Sequence, residues 1–351
     1  MTDHVSGTSC PLPDAGDDAR VTLAHGEGGR LMRRLIQQRI VPVLDSGPLA
    51  ALGDAARLGR LSGRLALSTD SFVVSPLFFP GGDIGKLAVY GTVNDLAVAG
   101  ARPKWISLAM ILEEGLPLTT LDRVLASIAA AAELAAVQVV TGDTKVVPRG
   151  AADGMFLTTT GVGEIVEPPP PGPAELEDGD ALIVSGPIGR HGVAILSARE
   201  QLGFDPPPKS DCASLAPSVE ALRSAGAPIR AMRDATRGGV AAVLHEWAEA
   251  SGRTLSIDES RVPLTDDVRG ACELLGLDPL HVANEGTMLV AVAGDAADAA
   301  LAALHGTPVS NSAALIGRVR RRSLAPVLVR RGLGRDLPLD EPAGAPMPRI
   351  C

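Results

Sequence analysis

Apolar and polar side chains alternate most clearly at Leu65–Val74 and again at Phe156–Gly163. A period of two predicts strands with one face turned to a core. Between them the period lengthens. Lys86–Ala99 and Thr119–Ala136 carry Leu, Ile, Val and Ala at helical spacing, which predicts two helices. Val137–Thr141 reads as a further strand, and Leu31–Ile40 as a helix entered from a glycine-rich turn. In the second half, Ala181–Ser185, Thr287–Val292 and Ala325–Val329 read as strands, with Gly192–Glu200 and Gly239–Ala250 as helices. Strands and helices alternate with no repeat of fixed period. The expected class is mixed α/β (α+β).

The run Pro168–Pro173 (PPPPGP) is the sharpest break in these patterns, a stiff linker unable to continue a helix or a central strand. The expected organisation is an extension without fixed structure at 1–20, a first domain at 21–167, a second at 174–333, and a mobile tail at 334–351. A length of 351 residues accommodates two domains with cores of their own. Cysteines stand at 10, 212, 272 and 351 with no CxxC pairing or metal-ligand spacing, which suits free thiols in a reducing cytoplasm. Met1–Asp18 lacks a basic stretch followed by an apolar one, so no secretory signal is expected, and Glu133 interrupts the most apolar run, Leu125–Val140. A net charge of −9 argues against a nucleic-acid surface, and the basic run Arg318–Arg322 reads as a solvated edge.

Against that background a few residues carry chemistry. The chain ends on a thiol, Cys351, at the tip of a polar tail with prolines at 338, 342, 346 and 348. Such a segment stays extended, with a reach of roughly 3 Å per residue, on the order of 50 Å in all. Lysine occurs only at 86, 104, 145 and 209, arginine being the default cation, so Lys86 and Lys145 stand out. Asp70 closes one strand pattern, Asn94-Asp95 lies in a helix pattern, and Asp143 follows another strand pattern, two residues before Lys145. Aspartates there also serve as turn formers and caps, but three together with a lysine suit a hard cation such as Mg²⁺ beside phosphate. The glycine-rich turn His25–Arg30 (HGEGGR) before a helix offers backbone N–H groups to an anion. Gly81–Lys86 (GGDIGK) fails as a P-loop, since Pro80 replaces the first glycine and Leu87 the Ser/Thr. Arg233–Gly239 (RDATRGG) and Ala283–Gly286 (ANEG) are two more turns with charged residues, the latter placing Glu285 as a general base or a turn cap.

Taken together, HGEGG at 25–29, the stretch 68–101, VVTGDTKVV at 139–147, RDATRGGV at 233–240, ANEGTMLV at 283–290 and the terminal PRIC resemble the carbamoyl dehydratase family of nickel–iron hydrogenase maturation. That family falls in the superfamily of aminoimidazole ribonucleotide synthetase and selenophosphate synthetase, and the resemblance spans about residues 22–351. It implies a two-domain aminoimidazole ribonucleotide synthetase-like fold, a homodimer joined through strands of the first domains, and ATP bound near the subunit cleft. It also implies that a carbamoyltransferase (HypF) loads a carbamoyl group on Cys351. ATP-dependent loss of water then gives a thiocyanate, and a HypC–HypD complex accepts the cyanide for the hydrogenase iron. By the same resemblance Asp70, Asp95 and Asp143 would hold Mg²⁺. Gly26, Glu27, Gly28, Gly29, Asp70, Asn94, Asp95, Asp143 and Asp234 would bind ATP. Lys145 and Glu285 would share proton removal and phosphate neutralisation, in either division. A selenophosphate synthetase-like enzyme is the alternative inside the superfamily. It would carry a reactive cysteine and a lysine near the N-terminal glycine-rich turn, whereas Cys10 is followed by Pro11-Leu12-Pro13 and no lysine precedes residue 86. A nucleotide-responsive docking module without catalysis is the alternative outside it.

Overall fold

The computed structural model describes residues 19–44, 46–332 and 334–341. Cys10, Cys351, the extension at 1–18 and the tail at 342–351 therefore lie outside the described residues. The chain opens with a 3₁₀ turn, Leu23–Gly26, then α1 (Arg30–Leu35), which passes through a π turn, Ile36–Ile40, into α2 (Val41–Leu44). Next comes α3 (Gly47–Ala50), capped by Ser46, whose hydroxyl accepts from Leu49 N–H at 3.3 Å and donates to the Val139 carbonyl at 2.5 Å.

A four-stranded sheet follows. Its strands are β1 (Leu65–Phe72), β4 (Ala101–Glu113), β5 (Gln138–Val147) and β6 (Met155–Ile165), in the order β1-β6-β4-β5. The short pair β2 (Phe78–Phe79) and β3 (Gly82–Asp83) precedes α4 (Ile84–Val98), and α5 (Leu118–Leu134) is the crossover joining the parallel strands β4 and β5. Helices α4 and α5 pack on one face of the sheet, over Ile106, Leu108, Met110 and Leu112 of β4. The opposite face, which carries Trp105, Ser107, Ala109 and Ile111, has no helix over it among the described residues. There β1 contributes Leu65 and Leu67, 63% and 71% exposed. The hydroxyls of Ser71 and Thr69 bond across to those of Thr158 and Thr160 at 3.0 and 2.9 Å.

Helix α4 is unusual in having thirteen of its fifteen residues buried; only Lys86 and Asp95 are partly open. A helix apolar on all sides belongs between layers. α4 does: the first sheet lies on one side of it and the second domain on the other. That second domain is built from β7 (Ala181–Val184), α6 (Arg190–Glu200), α7 (Ala216–Ser224), β8 (Ile229–Asp234), α8 (Gly239–Ser251), β9 (Thr254–Asp258), α9 (Asp266–Leu275), β10 (Met288–Val292), α10 (Ala297–His305), β11 (Ala314–Arg320), β12 (Val327–Arg331) and β13 (Arg335–Pro338). Its sheet runs β13-β12-β9-β11-β7-β10-β8, antiparallel except for β12 beside β9. α8 covers one face, and α7 and α10 the other over β7, β10 and β8. The class is mixed α and β, as expected.

Three readings change. Arg335–Pro338, placed in the tail, pairs with β12 as the last strand, and Leu339 beyond it is buried in the core under α8. The strand at Val137–Thr141 continues to Val147, so Asp143 and Lys145 lie inside a strand rather than after one. β4 carries no clean alternation, because its uncovered face is lined by Ser, Ala and Ile rather than by charged residues, and it escaped sequence reading. Among the described residues no helix is long and apolar enough to cross a membrane. Leu125 of α5 is fully buried. Leu125→Ala should lower unfolding free energy by about 2–5 kcal/mol in urea titration, and a loss under ~1 kcal/mol would mean that the layer between α5 and the sheet repacks freely.

Candidate functional site

The one open position near the C-terminal end of α4 is Asp95, and two further carboxylates converge there. Asp70 stands on the helix-covered face of β1, close to Gly91 of α4, while Asp234 closes β8 of the second domain. The Ser68 hydroxyl donates to Asp95 Oδ2 at 2.5 Å. Burial raises Asp70 to about 6, helped by the charge of Asp95 and a hydrogen bond with it, and opposed by Arg237. Burial raises Asp234 to about 7, helped by Asp95 and more weakly by Asp70, and opposed by Arg233. The three carboxylates thus feel one another across the joint between the domains. Like charges crowded in a half-buried site retain protons until a cation replaces them. Among the described residues no group of three or more His, Cys, Asp or Glu side chains is arranged to hold a metal ion by itself.

Asp143 does not join this group. It sits on β5, at the opposite edge of the sheet from β1, aligned with Ala109 on the uncovered face. Three strand spacings and a change of face separate it from Asp70, about 14 Å through the sheet. Within one chain it lies apart from Asp70 and Asp95, so the expected trio does not assemble there; the carboxylate beside those two is that of Asp234. Asp143 pairs instead with Lys145, Oδ2 to Nζ 3.4 Å, two residues on and on the same face of the strand. Beside them lies the glycine-rich turn. A side chain at Gly26 would meet Val146 N and Cβ at 2.9 Å, so glycine lets the turn close on β5. Gly28 has φ 74°, and Glu27, Gly28 and Gly29 are exposed. The predicted residues therefore fall into two groups: Gly26–Gly29 with Asp143 and Lys145, and Asp70, Asp95 and Asp234 at the joint.

Asn94 departs from its expected part. It is 1% exposed, its Nδ2 donates to the carbonyls of Ala213 and Glu285 at 3.0 and 3.3 Å, and its Oδ1 accepts from Leu215 N–H at 2.7 Å. With both ends of the amide occupied by the second domain, it ties the domains together and has nothing left for a phosphate. Glu285 is 5% exposed at the same joint. The segment Gly81–Lys86 forms no anion cradle either, since Asp83 Oδ1 already accepts from Gly85 and Lys86 N–H at 2.8 and 3.1 Å. Sequence reading missed Asp211, whose carboxylate accepts from the N–H groups of Glu285 and Gly286, each at 3.0 Å. Nothing around it signals this, as it follows only the run Pro206-Pro207-Pro208-Lys209-Ser210.

Residues 53–165 match the family model for the N-terminal domain of AIR synthase related protein, and residues 177–327 that for its C-terminal domain. Carbamoyl dehydratase HypE of Escherichia coli K12 is 48% identical over 336 residues, covering 94% of this chain and 99% of that protein. The chain belongs to the HypE family of carbamoyl dehydratases. The HypE of Rhodobacter capsulatus is likewise 48% identical, over 341 residues, 95% of this chain and 99% of its own length. A crystal structure of the hydrogenase maturation protein HypE in complex with ATP superposes with a TM-score of 0.90 at 46% identity, covering 94% of this chain and 99% of that one. A HypE–HypF complex matches with a TM-score of 0.77 at 43% identity, over 88% of this chain and 99% of that one.

The raised carboxyls of this HypE family member have a consequence for stability. Asp70 and Asp234 hold protons more tightly folded than unfolded, so from about pH 4 to pH 7 their contribution to stability falls as pH rises. In protein free of metal and nucleotide, Asp234→Asn should flatten that fall, raising the urea midpoint at pH 8 while leaving it nearly unchanged at about pH 4. An identical pH dependence in the variant would mean that Asp234 is ionised in the fold.

Proposed function

We propose that this chain uses ATP to dehydrate an S-carbamoyl group carried on its own Cys351, forming the thiocyanate that supplies cyanide to the iron of nickel–iron hydrogenase. The observation that carries this reading is the convergence of Asp70, Asp95 and Asp234, the first and last of them raised in pKa by burial, where buried α4 meets the second domain. The likeness to HypE proteins supports the same reaction, and the HypE structure holding ATP supports the nucleotide.

An amide oxygen leaves poorly, so the γ-phosphoryl group passes from ATP to the carbamoyl oxygen, releasing ADP, and one N–H proton is lost. The carbon–oxygen bond then breaks with loss of the second N–H proton, giving S–C≡N and phosphate. The net change is thiocarbamate plus ATP to thiocyanate, ADP, phosphate and one proton. Such phosphoryl transfer depends on positioning and charge stabilisation. Asp70, Asp95 and Asp234 are the residues that would hold Mg²⁺, which when bound offsets phosphate charge. Glu285, buried at the same joint, removes the N–H protons. Lys145, an exposed point charge next to the Gly26–Gly29 turn, neutralises phosphate. Cys351 carries the substrate as a thiolate nucleophile toward the carbamoyl donor. That donor is a HypF-type carbamoyltransferase, a partner supported by the HypE–HypF complex. A HypC–HypD complex accepts the cyanide. Cys212 and Cys272 are free thiols, in keeping with work in the cytoplasm.

The active form is a homodimer. A sheet face presenting Leu65, Leu67 and Ile111 to solvent needs a cover, and a second copy of the same face provides one. Pairing these faces also brings Asp143 and Lys145 into the subunit cleft, where each protomer completes the other's nucleotide site.

Two outcomes are expected. Cys351→Ala should fold and bind ATP yet accept no carbamoyl group. Mass spectrometry of the wild-type C-terminal peptide should show carbamoylation and then, with ATP, loss of one water; turnover by Cys351→Ala would refute the carrier role. Leu67→Glu should give a monomer by light scattering with thiocyanate formation at least about tenfold slower, as expected for a charge forced into an apolar interface. A fully dimeric variant would place the interface elsewhere.

A further inference from the structure

Between α6 and α7 the chain runs without helix or strand from Ser210 to Leu215, and this strap crosses from the second domain onto the first. At one end Ser210 N–H donates to the Pro80 carbonyl at 2.9 Å. A side chain on Gly81, φ 92°, would meet Ser210 N at 2.7 Å, so only glycine admits this approach. At the other end Asn94 takes Ala213 and Leu215 through its amide. Both ends of the strap are thus bonded to the first domain.

Midway, Asp211 points back into the second domain. Its Oδ1 accepts from Glu285 N–H, and its Oδ2 from Gly286 N–H and the Thr287 hydroxyl, all at 3.0 Å. Burial pushes its pKa up, and these three donors with Arg190 act in the opposite sense, favouring the carboxylate. A side chain at Gly286 would run into the Asp211 backbone carbonyl, so the turn and the strap fit only with glycine there. From beneath, Asn284 Oδ1 accepts from Gly189 N–H and its Nδ2 donates to the Ala235 carbonyl, both at 2.7 Å. Asn94 holds the Glu285 carbonyl. The N–H groups of Asn284, Glu285 and Gly286 and the carbonyl of Glu285 are therefore all held.

We propose that Asp211 is a positioning residue for the dehydration step, holding Glu285 in place through the strap that locks the two domains together. A base on a turn acts only if its supports hold it within a fraction of an ångström of the productive geometry. Asp211 supplies that support with three hydrogen bonds from one carboxylate, and the strap makes Glu285's position depend on how the domains are docked. The proposal rests on the reading of Glu285 as the base.

The test is a double-mutant cycle on full-length carbamoylated protein, following thiocyanate formation after ATP is added. Glu285→Gln should slow the reaction about 10²- to 10⁴-fold, the usual contribution of a general base. Asp211→Asn, which presents an NH₂ group to backbone donors, should slow it about 10- to 100-fold with little change in KM for ATP, as loss of orientation does. The double variant should be no slower than Glu285→Gln alone, because Asp211 acts through that residue. A double variant slowed by the product of the single effects, or an Asp211→Asn protein at wild-type rate, would overturn the proposal. An unaffected Glu285→Gln protein would instead reject the base assignment itself. Should Asp211→Asn fail to fold, Thr287→Val removes one of the three donors and enters the same cycle, with a several-fold slowing required in its place.

Discussion

Polar groups in a buried helix must find partners or an opening, and α4 is where this chain meets that requirement most sharply. Sheet lies on one side of the helix and the second domain on the other, so each polar side chain along it has a definite fate. Thr92 bonds the Thr159 hydroxyl at 2.6 Å, Asp83 caps the first turn, and Asn94 is taken up by the strap. Asp95 alone near the C-terminal end keeps a path outward. The candidate site is the residue of this accounting. Because α4 also joins the domains, the packing that buries the helix is the packing that brings Asp234 to Asp70 and Asp95.

The electrostatics follow from that arrangement. Of the carboxyls contributed by β1, α4 and β8, Asp70 and Asp234 are pushed up by burial and by the charge of Asp95, and the nearby cations, Arg233 and Arg237, offset this only in part. An unliganded site of this kind is held together by the surrounding packing, not by its own interactions. A cation placed among these carboxyls would relieve the repulsion, so affinity for such a ligand and instability without it would share one cause.

The first sheet imposes the complementary constraint. Alternation along a strand sends neighbouring residues to opposite faces, and helices cover only one of them. Asp70 and Asp143 therefore face different environments although both lie on strands of the same sheet. Lys145 and the glycine-rich turn gather at the β5 edge for the same reason. The HypE sequences and structures to which this chain is similar extend over nearly its whole length, so this division belongs to the full two-domain unit.

Local periodicity was enough to read β1, α4, α5, β6, β7 and α8, since in each the side-chain pattern reports a nearby core directly. Sequence reading also named, by motif, Asp70, Asp95, Glu285 and the glycine turn, polar or glycine positions that interrupt the apolar pattern around them. It missed β4, whose uncovered face imitates a second core, and β13, where pairing with β12 overrides a polar, proline-bearing composition. It grouped Asp143 with the wrong acids, because spacing along a chain does not tell which face of a sheet a strand interior presents. Asn94 passed for a ligand and Asp211 for an ordinary loop residue until the domains were seen docked. Amino-acid order settled most of the strands and helices, those whose side chains report a nearby core, and which chemical groups the chain possesses. Which of those groups meet was decided by the burial of α4 between two sheets, a contact between residues as far apart as Asn94 and Glu285 that no local pattern encodes.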